Sequence, residues 1–305
     1  MIPNVKGDDT KRSIVGIVVA YRSAETIGAC VTSLFTHGCE FVIVVDNAAD
    51  PYTELAVKEA GPRARYYAQK TNLGFAAGCN VGVGLLPSSP GQWLAFVNPD
   101  VWIYADLKQL VAVASAARAA VVAGRLHTPG GNAASNARPR VTCARQVAQA
   151  AFGSRVTHYR VPSTTGNHWI PAADGALLLI SREVWRDIGG FDERFELYFE
   201  DADLCERASD HGGVLLVGVE AGHHIGGESF NSNRGPAYRA YRCSRVEYLA
   251  KYFGFRGRLA AALCAVIEAV TRTLARCPEG DRVRVRSLVD QLSVVATSRP
   301  RRFLS

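Results

Sequence analysis

Uninterrupted apolar runs alternate with segments of helical spacing in the N-terminal third of the chain. Residues Ile14–Tyr21 and Phe41–Asn47 are rich in Val and Ile and turn polar only at their ends, as expected of strands buried on both faces. Between them, Ile27, Val31 and Leu34 recur on one face of a predicted helix. The pattern therefore predicts a strand, a helix and a second strand in succession.

Two more helix–strand steps follow along the chain. A short helix near Tyr52–Ala60 leads to the predicted strand RYYAQ, and the glycine-rich helix GFAAGCNVGVGLL leads to the predicted strand QWLAFVN. Strand and helix thus alternate at a spacing of roughly 30 residues, which is typical of βαβ units and a parallel sheet.

Polar residues follow each of the four predicted strands. They are Tyr21 and Arg22 after the first strand, Asp46 and Asn47 after the second, Asn72 after the third, and Asn98-Pro99-Asp100 after the fourth. Ligands of parallel α/β sheets bind beyond the carboxyl ends of the strands, so these residues are the first candidates for a binding site. A turn-forming residue explains any one of them, but explains all four together less well.

The alternating pattern changes in the second half of the chain. From Gly124 to about Gly166 the sequence is rich in Gly, Asn, Pro, Ser and Arg, which predicts a long irregular excursion that could act as a lid. Regular structure is predicted again at Asp174–Trp185, as a strand running into a helix, and at the strand VLLVGV. The chain after Ser232 is predicted to be helical, basic and aromatic.

Composition narrows the class of protein. With 305 residues, 48% of them hydrophobic, the chain can bury a full core. Its best apolar helix, Leu259–Ala275, contains Glu268 and Arg272, which indicates an amphipathic helix rather than a membrane span. Residues 1–12 predict a loose polar tail without a secretory signal, and none of the eight cysteines forms a C-x-x-C pair. We therefore expect a cytoplasmic protein with reduced thiols and no zinc site.

The positive charge is concentrated at the C-terminal end. The whole chain carries +7, but residues 232–305 carry +10 and the remainder carries −3. Such a segment could face nucleic acid, a membrane surface or an acidic glycan. No nucleic-acid-binding motif is present in it, so nucleic acid is disfavoured. An Arg-rich amphipathic helix with Tyr and Phe can lie on anionic lipid, and we expect peripheral membrane contact through Tyr238–Ala275.

The segment Tyr198–Ala208 concentrates acidic side chains behind an aromatic stretch. Carboxylates near a helix N-terminus can simply complement the helix dipole. The aromatic residues just before them could also desolvate a carboxylate and raise its basicity, which suits a general base. The acidic residues are Glu200, Asp201, Asp203 and Glu206, and the aromatic residues are Phe195, Tyr198 and Phe199.

Asp100 and His224 are candidate metal ligands. The carboxylate of Asp100 is a hard oxygen ligand suited to Mg²⁺ or Mn²⁺, and His224 of GHHIGGES is a candidate second ligand. Such a cation would offset the charge of a diphosphate leaving group. The chain has neither a G-x-G-x-x-G fingerprint after the first strand nor a P-loop, so the pattern points to a sugar-nucleotide site.

An ordered set of segments resembles family 2 inverting glycosyltransferases of the GT-A fold, and among them bacterial rhamnosyltransferase-like members. The set covers roughly residues 14 to 229 and consists of IVVAYRSAETIGACVTSL, IVVDNAA, NLGFAAGCNVGV, FVNPDV, DGALLLISREVWRDIGGFDERFELYFEDADLCERA and HHIGGES. The resemblance implies a Rossmann-like α/β fold with a mostly parallel central sheet flanked by helices. We expect a GT-A domain at 13–231, with a nucleotide-binding half up to 123 and an acceptor half at 124–231, and a helical extension at 232–305.

The resemblance also implies roles for particular residues. Asp201 is expected to be the catalytic base, and Asp100, in a variant of the D-x-D motif, is expected to bind the metal with His224. The residues expected to bind the donor are Tyr21, Arg22, Asp46, Asn47, Asn72, Gly74, Phe75, Asn98 and Asp100. The residues expected to contact the acceptor or the sugar are Trp169, Asp174, Gly175 and Glu200.

The implied activity is a metal-dependent transfer, with Mg²⁺ or Mn²⁺, of a sugar to an acceptor hydroxyl. The resemblance favours L-rhamnose from dTDP-rhamnose as the donor and a glycan, lipid-linked glycan or natural product as the acceptor, in bacterial cell wall or polysaccharide biosynthesis. A homodimer stays open. Two alternatives also stay open: a nucleotidyltransferase, whose usual Gly-rich loop is absent from AYRSAETIG, and a non-catalytic sugar-nucleotide-binding protein.

Overall fold

The computed structural model describes residues 13–86, 92–127, 133–134, 136–153, 166–225 and 234–274. The predicted tail 1–12 and the part of the extension after Leu274 lie outside these ranges. The strands are β1 (Ile14–Ala20), β2 (Cys39–Asp46), β3 (Ala64–Ala68), β4 (Trp93–Val97), β5 (Val101–Ile103), β6 (Val121–His127), β7 (Ala133–Ala134), β8 (Ala137–Arg138), β9 (His168–Ile170), β10 (Ala172–Ala173), β11 (Leu177–Ser181) and β12 (Val214–His224). The helices are α1 (Ala24–Thr36), α2 (Pro51–Glu59), α3 (Phe75–Gly84), α4 (Leu107–Ala117), α5 (Cys143–Phe152), α6 (Arg182–Ile188), α7 (Glu200–Ala208) and α8 (Arg234–Leu274).

A mostly parallel sheet forms the centre of the molecule, as predicted. Its strand order is β3-β2-β1-β4-β11-β6-β12-β5, with β7 beside β6 and β9 beside β12. The long strands β1, β2, β3, β4, β6 and β12 run in one direction, whereas β11 runs antiparallel between β4 and β6. The sheet therefore brings the start of β11 to the same edge as the carboxyl ends of its parallel neighbours.

Helices cover both faces of the sheet, and this explains the uninterrupted apolar runs. On β1, Ile14 and Val18 face one core cluster, which includes α1, α2 and α4. Val15 and Ile17 face the other cluster, which includes α3, α6 and α7. Because successive side chains of a strand point to opposite faces, a strand buried on both faces must be apolar at every position.

The glycines of α3 let this helix lie directly on the sheet. A Cβ atom added to Gly78 would lie 2.9 Å from a methyl group of Val19. One added to Gly82 would lie 2.7 Å from a methyl group of Ile17. These separations are too short for real carbon atoms, so the spacing of the two glycines is a packing requirement.

The predicted irregular excursion after Gly124 is partly wrong. Strand β6 continues to His127, β8 pairs with β10, and α5 begins after Thr142, whose hydroxyl caps the helix by accepting from the Arg145 amide at 3.2 Å. Residues 128–132, 135 and 154–165 lie outside the described ranges, and the predicted lid falls partly on them. Sequence periodicity missed α5 because the helix is short and alanine-rich.

The C-terminal extension begins as a helical hairpin. Gly254 has non-helical backbone angles (φ 55°, ψ −131°) and divides α8 into an N-terminal arm, 234–253, and a C-terminal arm, 255–274. The arms lie so close that a Cβ added to Gly257 would come within 1.8 Å of the Leu249 carbonyl oxygen. Buried Leu249 and Ala261 belong to the small core that the hairpin shares with α5. Within the described ranges, no helix combines the length and apolar content needed to cross a bilayer.

Candidate active site

Backbone hydrogen bonds bring the predicted site segments to one edge of the sheet. The Asn98 amide donates to the Ala176 carbonyl at 3.0 Å, which places the turn after β4 beside the start of β11. The Asn47 amide donates to the Ala20 carbonyl at 2.8 Å, which joins the ends of β1 and β2. The Ile225 amide donates to the Asp100 carbonyl at 3.1 Å, which adds the end of β12. The polar residues after the strands therefore share one rim of the molecule.

Asp100 and His224 form a pair at this rim. The imidazole Nε2 of His224 lies 3.2 Å from Oδ1 of Asp100, and both side chains are largely buried. The pair is fixed because His224 faces Val101 in the β12–β5 register. Burial alone would lower the pKa of His224, but the hydrogen bond and the charge of Asp100 outweigh it and raise that pKa.

The Asp100–His224 pair suits a divalent cation whose other ligands are water and substrate phosphates. No group of three His, Cys, Asp or Glu side chains suited to a metal occurs among the residues that the structure describes. Mg²⁺ typically binds one or two protein carboxylates and completes its shell with water and substrate phosphates. One carboxylate oxygen and one imidazole nitrogen, adjacent at the rim, satisfy that requirement. Because metal binding needs neutral imidazole, protons would compete with the cation at His224.

The carboxylate of Asp201 lies in the first turn of α7 and is held by backbone amides. Oδ2 accepts from the Gly175 amide at 3.1 Å, and Oδ1 accepts from the Ala202 amide at 2.7 Å. Burial and then the charge of Asp174 raise the pKa of Asp201 to about 6, against the opposing effects of Arg138 and the two amides. A carboxylate with a pKa near the working pH is suited to accept a proton from a substrate.

Asp174 interacts electrostatically with both Asp201 and His224. Its carboxylate forms an ion pair with Arg138, and Oδ1 accepts from the Ala176 amide at 3.2 Å. Burial alone would raise the pKa of Asp174, but Arg138 and then His224 outweigh it, and the pKa lies below its usual range. The sequence did not single out Arg138, which lies on the two-residue strand β8 within the segment predicted to be irregular.

Glu200 does not match the expected acceptor contact. Its side chain is buried, with 5% of the residue exposed, and Oε2 has no hydrogen-bond partner among the described residues. Burial, followed by the charge of Asp201, raises its pKa well above the usual range. Burial therefore favours the neutral form of the Glu200 side chain, because an isolated buried carboxylate is costly to ionise.

The other two acids of α7 attach neighbouring elements. Asp203 is fully buried, accepts from Arg207 Nε and Tyr252 Oη, each at 2.8 Å, and also pairs with Lys251. Lys251 also binds Asp192 at 2.8 Å, so the N-terminal arm of α8 is tied to α7 and to the loop before it. Glu206 forms an ion pair with Arg140. Of the four predicted acids, only Asp201 is both partly exposed and held by the amide of Gly175 at the rim.

The aromatic residues before α7 occupy a strained turn. Tyr198 and Phe199 both have left-handed backbone angles, with φ of 68° and 69°. Non-glycine residues adopt this conformation at a cost and often do so next to functional sites. The ring of Tyr241 in α8 packs on both, with centroids 5.7 Å from Tyr198 and 5.4 Å from Phe199. The C-terminal extension thus packs against the turn that immediately precedes Glu200 and Asp201.

The side chains of Asp46 and Asn47 at the rim are turned inward and form hydrogen bonds with neighbouring parts of the protein. Asp46 is fully buried and accepts from the amides of Ala48 and Asp50 and from the hydroxyl of Tyr66, at 2.8–2.9 Å. Its expected contact with the donor stays a prediction, and in this arrangement the carboxylate accepts hydrogen bonds from three protein donors. The Asn47 side chain donates to the Gly74 carbonyl at 3.0 Å and is also turned inward.

The loop from Asn72 to Phe75 joins the two halves of the site. Gly74 has φ of +83°, and an added Cβ would lie 2.4 Å from the Glu196 carbonyl oxygen. The Phe75 amide donates to that same oxygen at 2.7 Å, and the Phe75 ring is buried in the core beside Phe191. Phe75 therefore packs in the interior rather than facing the donor as expected. Asn72 accepts from the Gly74 amide at 2.9 Å and stays partly exposed.

Tyr21 and Arg22 are the more accessible candidates for nucleoside contact. Arg22 is exposed in a left-handed conformation (φ 54°), with its guanidinium 5.3 Å from the centre of the Tyr21 ring. Both residues follow β1 at the carboxyl edge.

Trp169 does not belong to this site. Its strand, β9, pairs with the beginning of β12, where Trp169 faces Leu215, whereas His224 ends the same strand. Nine residues of strand separate the two positions, or on the order of 30 Å at ~3.3 Å per residue. The expected contact to acceptor or sugar is wrong, because the register of β9 places the indole at the opposite end of the sheet.

Comparison with known proteins connects this geometry to an enzyme family. The family model described as "Glycosyl transferase family 2" matches residues 16–189. The N-acetylglucosaminyl-diphospho-decaprenol L-rhamnosyltransferase of Mycobacterium tuberculosis (strain H37Rv) is 28% identical over 227 residues, which cover 67% of this chain and 72% of that protein. The family match ends before Asp201 and His224, so it does not test these two residues.

Solved structures show the same fold at low identity. Staphylococcus aureus TarS 1-349 in complex with UDP-GlcNAc has a TM-score of 0.55 and 17% identity, with 93% of this chain and 81% of that chain covered. GalNAc-T7 with UDP, GalNAc and Mn²⁺ has a TM-score of 0.59 and 14% identity, with 94% of this chain and 58% of that chain covered. At these identities the likeness shows the fold alone.

Proposed function

The chain belongs to glycosyl transferase family 2 and is a glycosyltransferase, and we propose that Asp201 is the base of an inverting sugar transfer at the rim formed by β1, β4, β11 and β12. The observation that carries this proposal is the Asp201 carboxylate, partly exposed, held by the Gly175 amide and adjusted to a pKa of about 6. The Asp100–His224 pair belongs to the same rim through Asp174.

The proposed reaction is a single displacement. Asp201 accepts the proton of an acceptor hydroxyl while that oxygen forms a bond to the anomeric carbon of the donor sugar. The bond between this carbon and the diphosphate oxygen breaks, and its electron pair leaves with the nucleoside diphosphate. Asp100 and His224 would hold Mg²⁺ or Mn²⁺, whose charge offsets that of the diphosphate. Asn98 and Asn72 flank this region, and Tyr21 with Arg22 would hold the nucleoside.

We propose L-rhamnose, carried by dTDP, as the donor sugar. The supporting observation is the Mycobacterium tuberculosis relative, which is named as a rhamnosyltransferase with a diphospho-decaprenol acceptor. A lipid-linked glycan is accordingly the first acceptor to test, and bacterial cell wall or polysaccharide biosynthesis is the proposed context. Other members of the fold are described with UDP-GlcNAc or GDP-Man, so the donor has to be measured.

The predicted domain division also stays a proposal, with one change. We keep a GT-A domain at 13–231 and an extension at 232–305, but we propose that the N-terminal arm of α8 serves the catalytic domain. Its supporting contacts are those of Tyr241 with Tyr198 and of Lys251 with Asp203. A homodimer and a location at the cytoplasmic membrane face remain proposals as well.

Release of nucleoside diphosphate from a donor panel tests the function. The panel contains dTDP-rhamnose, UDP-GlcNAc, GDP-mannose and UDP-glucose with Mn²⁺, and a GlcNAc-diphospho-polyprenol analogue as acceptor. We expect release with dTDP-rhamnose that depends on acceptor and falls about 10²–10⁴-fold in Asp201→Asn, with donor binding kept. Turnover unchanged by this substitution would contradict the assignment of the base. Formation of a nucleoside triphosphate from the sugar nucleotide and added pyrophosphate would instead support the nucleotidyltransferase alternative.

A further inference from the structure

The C-terminal arm of α8 carries a stripe of exposed apolar side chains. The exposed fractions of these residues lie between 48% and 74%. They recur at intervals of three or four residues, so they lie along one side of the helix. We call them the apolar stripe: Phe255, Leu259, Leu263, Val266 and Val270. At ~1.5 Å per residue the stripe is about 22 Å long.

Most of the larger apolar side chains of this arm are exposed, whereas its buried positions hold small residues and one acid. Its one acidic residue, Glu268, points inward and binds Arg245 at 2.7 Å and Arg242 at 2.5 Å, and all three residues are buried. A helix on the surface of a protein in water normally turns its charges outward and its apolar residues inward. A continuous exposed apolar surface of this kind marks an interaction site.

Helix α5 widens the same surface. An apolar groove of about 530 Å³ runs between α5 and the C-terminal arm, lined by Phe152, Leu259, Leu263 and small side chains. Phe152 is 73% exposed at the end of α5. The stripe and the groove together form one apolar face built from two helices.

The charged residues around this face are cationic. The only charged residue of α5 is Arg145, which is exposed, and Arg256 is exposed beside Phe255 on the C-terminal arm. No exposed carboxylate occurs on α5 or on the described part of that arm. The chain after Leu274 adds seven arginines against three acidic residues. The complementary partner is therefore apolar and anionic together.

We propose that this face, formed by the apolar stripe and the α5 groove, docks on a bilayer that contains anionic lipid. Apolar side chains would enter the headgroup region while the arginines meet lipid phosphates. A second copy of the chain fits less well, because a two-fold interface would set the same cations against each other. The chain's own segment 275–305 is also a poor occupant of this face, because its net positive charge would be repelled by the same cations.

The proposed surface is smaller than the predicted contact through Tyr238–Ala275. In the N-terminal arm, Arg242 and Arg245 are buried against Glu268, and Tyr241 packs on the turn before α7. These side chains are unavailable to lipid in the folded protein. The inference goes beyond the proposed sugar transfer, since vesicle binding needs neither donor nor acceptor.

Vesicle flotation of the full chain tests the inference without any measurement of activity. We use vesicles of phosphatidylcholine alone and of phosphatidylcholine with phosphatidylglycerol, both free of glycolipid. We expect binding to the anionic vesicles and a loss of about tenfold or more in Leu259→Gln/Leu263→Gln, since each leucine contributes on the order of 1.5–3 kcal/mol when buried. Arg256→Gln should lose about fivefold on anionic vesicles only.

A matched control keeps the test specific. Leu55 on α2 is 54% exposed and Leu259 is 55% exposed, so Leu55→Gln removes a similar apolar area away from the proposed face. The control should bind vesicles like the wild type, and circular dichroism should show all variants folded. Absence of wild-type binding, or equal loss in the control, would overturn the inference. A wild-type dimer that the double variant separates into monomers, seen by light scattering, would assign the face to a second copy instead.

Discussion

The backbone amide of Gly175 donates a hydrogen bond to Asp201 at 3.1 Å, across 26 residues of sequence. Gly175 precedes β11 and Asp201 begins α7, so the bond ties the proposed base to the sheet edge where Asn98 and Asp100 lie. An added Cβ at position 175 would lie in ordinary van der Waals contact with Phe75 at 3.4 Å and with Asp201 at 3.7 Å, so the backbone at Gly175 packs directly beside both residues. The base is thus positioned by a strand rather than by its own helix alone.

The pKa of Asp201 predicts an acidic limb in the pH profile. The base works only when ionised, so kcat/KM should rise with pH and level off above about 6. Asp174→Asn removes a negative charge that raises the pKa of Asp201 and frees Arg138, which lowers it. The limb should therefore move to lower pH in this variant. Initial rates between pH 4.5 and 8.5 (about the usual range of stable folds) measure it, and Glu206→Gln on the same helix should leave the limb in place.

Glu200→Gln should stabilise the protein increasingly as pH rises. The pKa of Glu200 is raised well above its unfolded value of 4.5, so the unfolded chain releases the proton first. Stability from this group is complete below that value and is lost as pH rises toward the folded pKa. Glutamine has the same shape without this dependence. Thermal unfolding at pH 5 and pH 8, with Glu206→Gln as control, checks it, and equal shifts at both pH values would exclude a neutral buried acid.

Lys251→Met should destabilise the protein by about 2–3 kcal/mol, because it removes one cation from the buried Asp203 while Arg207 and Tyr252 remain. Urea unfolding measures the difference. Lys58 forms an exposed pair with Glu54, so Lys58→Met should change stability by less than about 0.5 kcal/mol. Similar losses in the two variants would show that the contact between α8 and α7 contributes little.

Gly74→Ala should cost about 2–4 kcal/mol and raise KM for the donor, since both its backbone conformation and the nearby Glu196 carbonyl exclude a methyl group. A substitution at Gly61 separates the effect of the backbone conformation from that of the close carbonyl group. It also has a positive φ, +127°, but nothing lies within 4 Å of an added Cβ. Gly61→Ala should therefore show only the smaller conformational cost, about 1–2 kcal/mol, with KM unchanged. Equal effects would indicate that the Gly74–Glu196 approach is unimportant.

The alternation of strands and helices in the N-terminal third, and the rim at the ends of those strands, could be predicted from the sequence, because each depends on local patterns. Strands buried on both faces must be apolar throughout, and parallel connections place their ends together. Asp100 and His224 were candidates for one metal site because each follows a predicted strand, and their role as ligands stays a prediction. These inferences needed only periodicity and the polar residues that interrupt it.

Other features depend on register and packing, which the sequence does not display. Trp169 was misplaced because nothing in HWI says which end of β12 it pairs with. The hydrogen bond between Asp46 and Tyr66 was not foreseen, because the two residues lie 20 positions apart in sequence. The break at Gly254 was missed because one glycine in an otherwise helical pattern can be either tolerated or a turn.

The contact between Lys251 and Asp203 joins positions 48 residues apart, both of them beyond the end of the family match at residue 189. Lys251 supplies one of the two cations that bind the buried Asp203, so we expect substitutions at the two positions to be correlated among related sequences. Related sequences with an acid at the position of Asp203 and a cation at the position of Lys251 would then be those in which the C-terminal hairpin packs on α7. In an alignment of related sequences, covariation between these two positions could thus identify the members that share this hairpin arrangement.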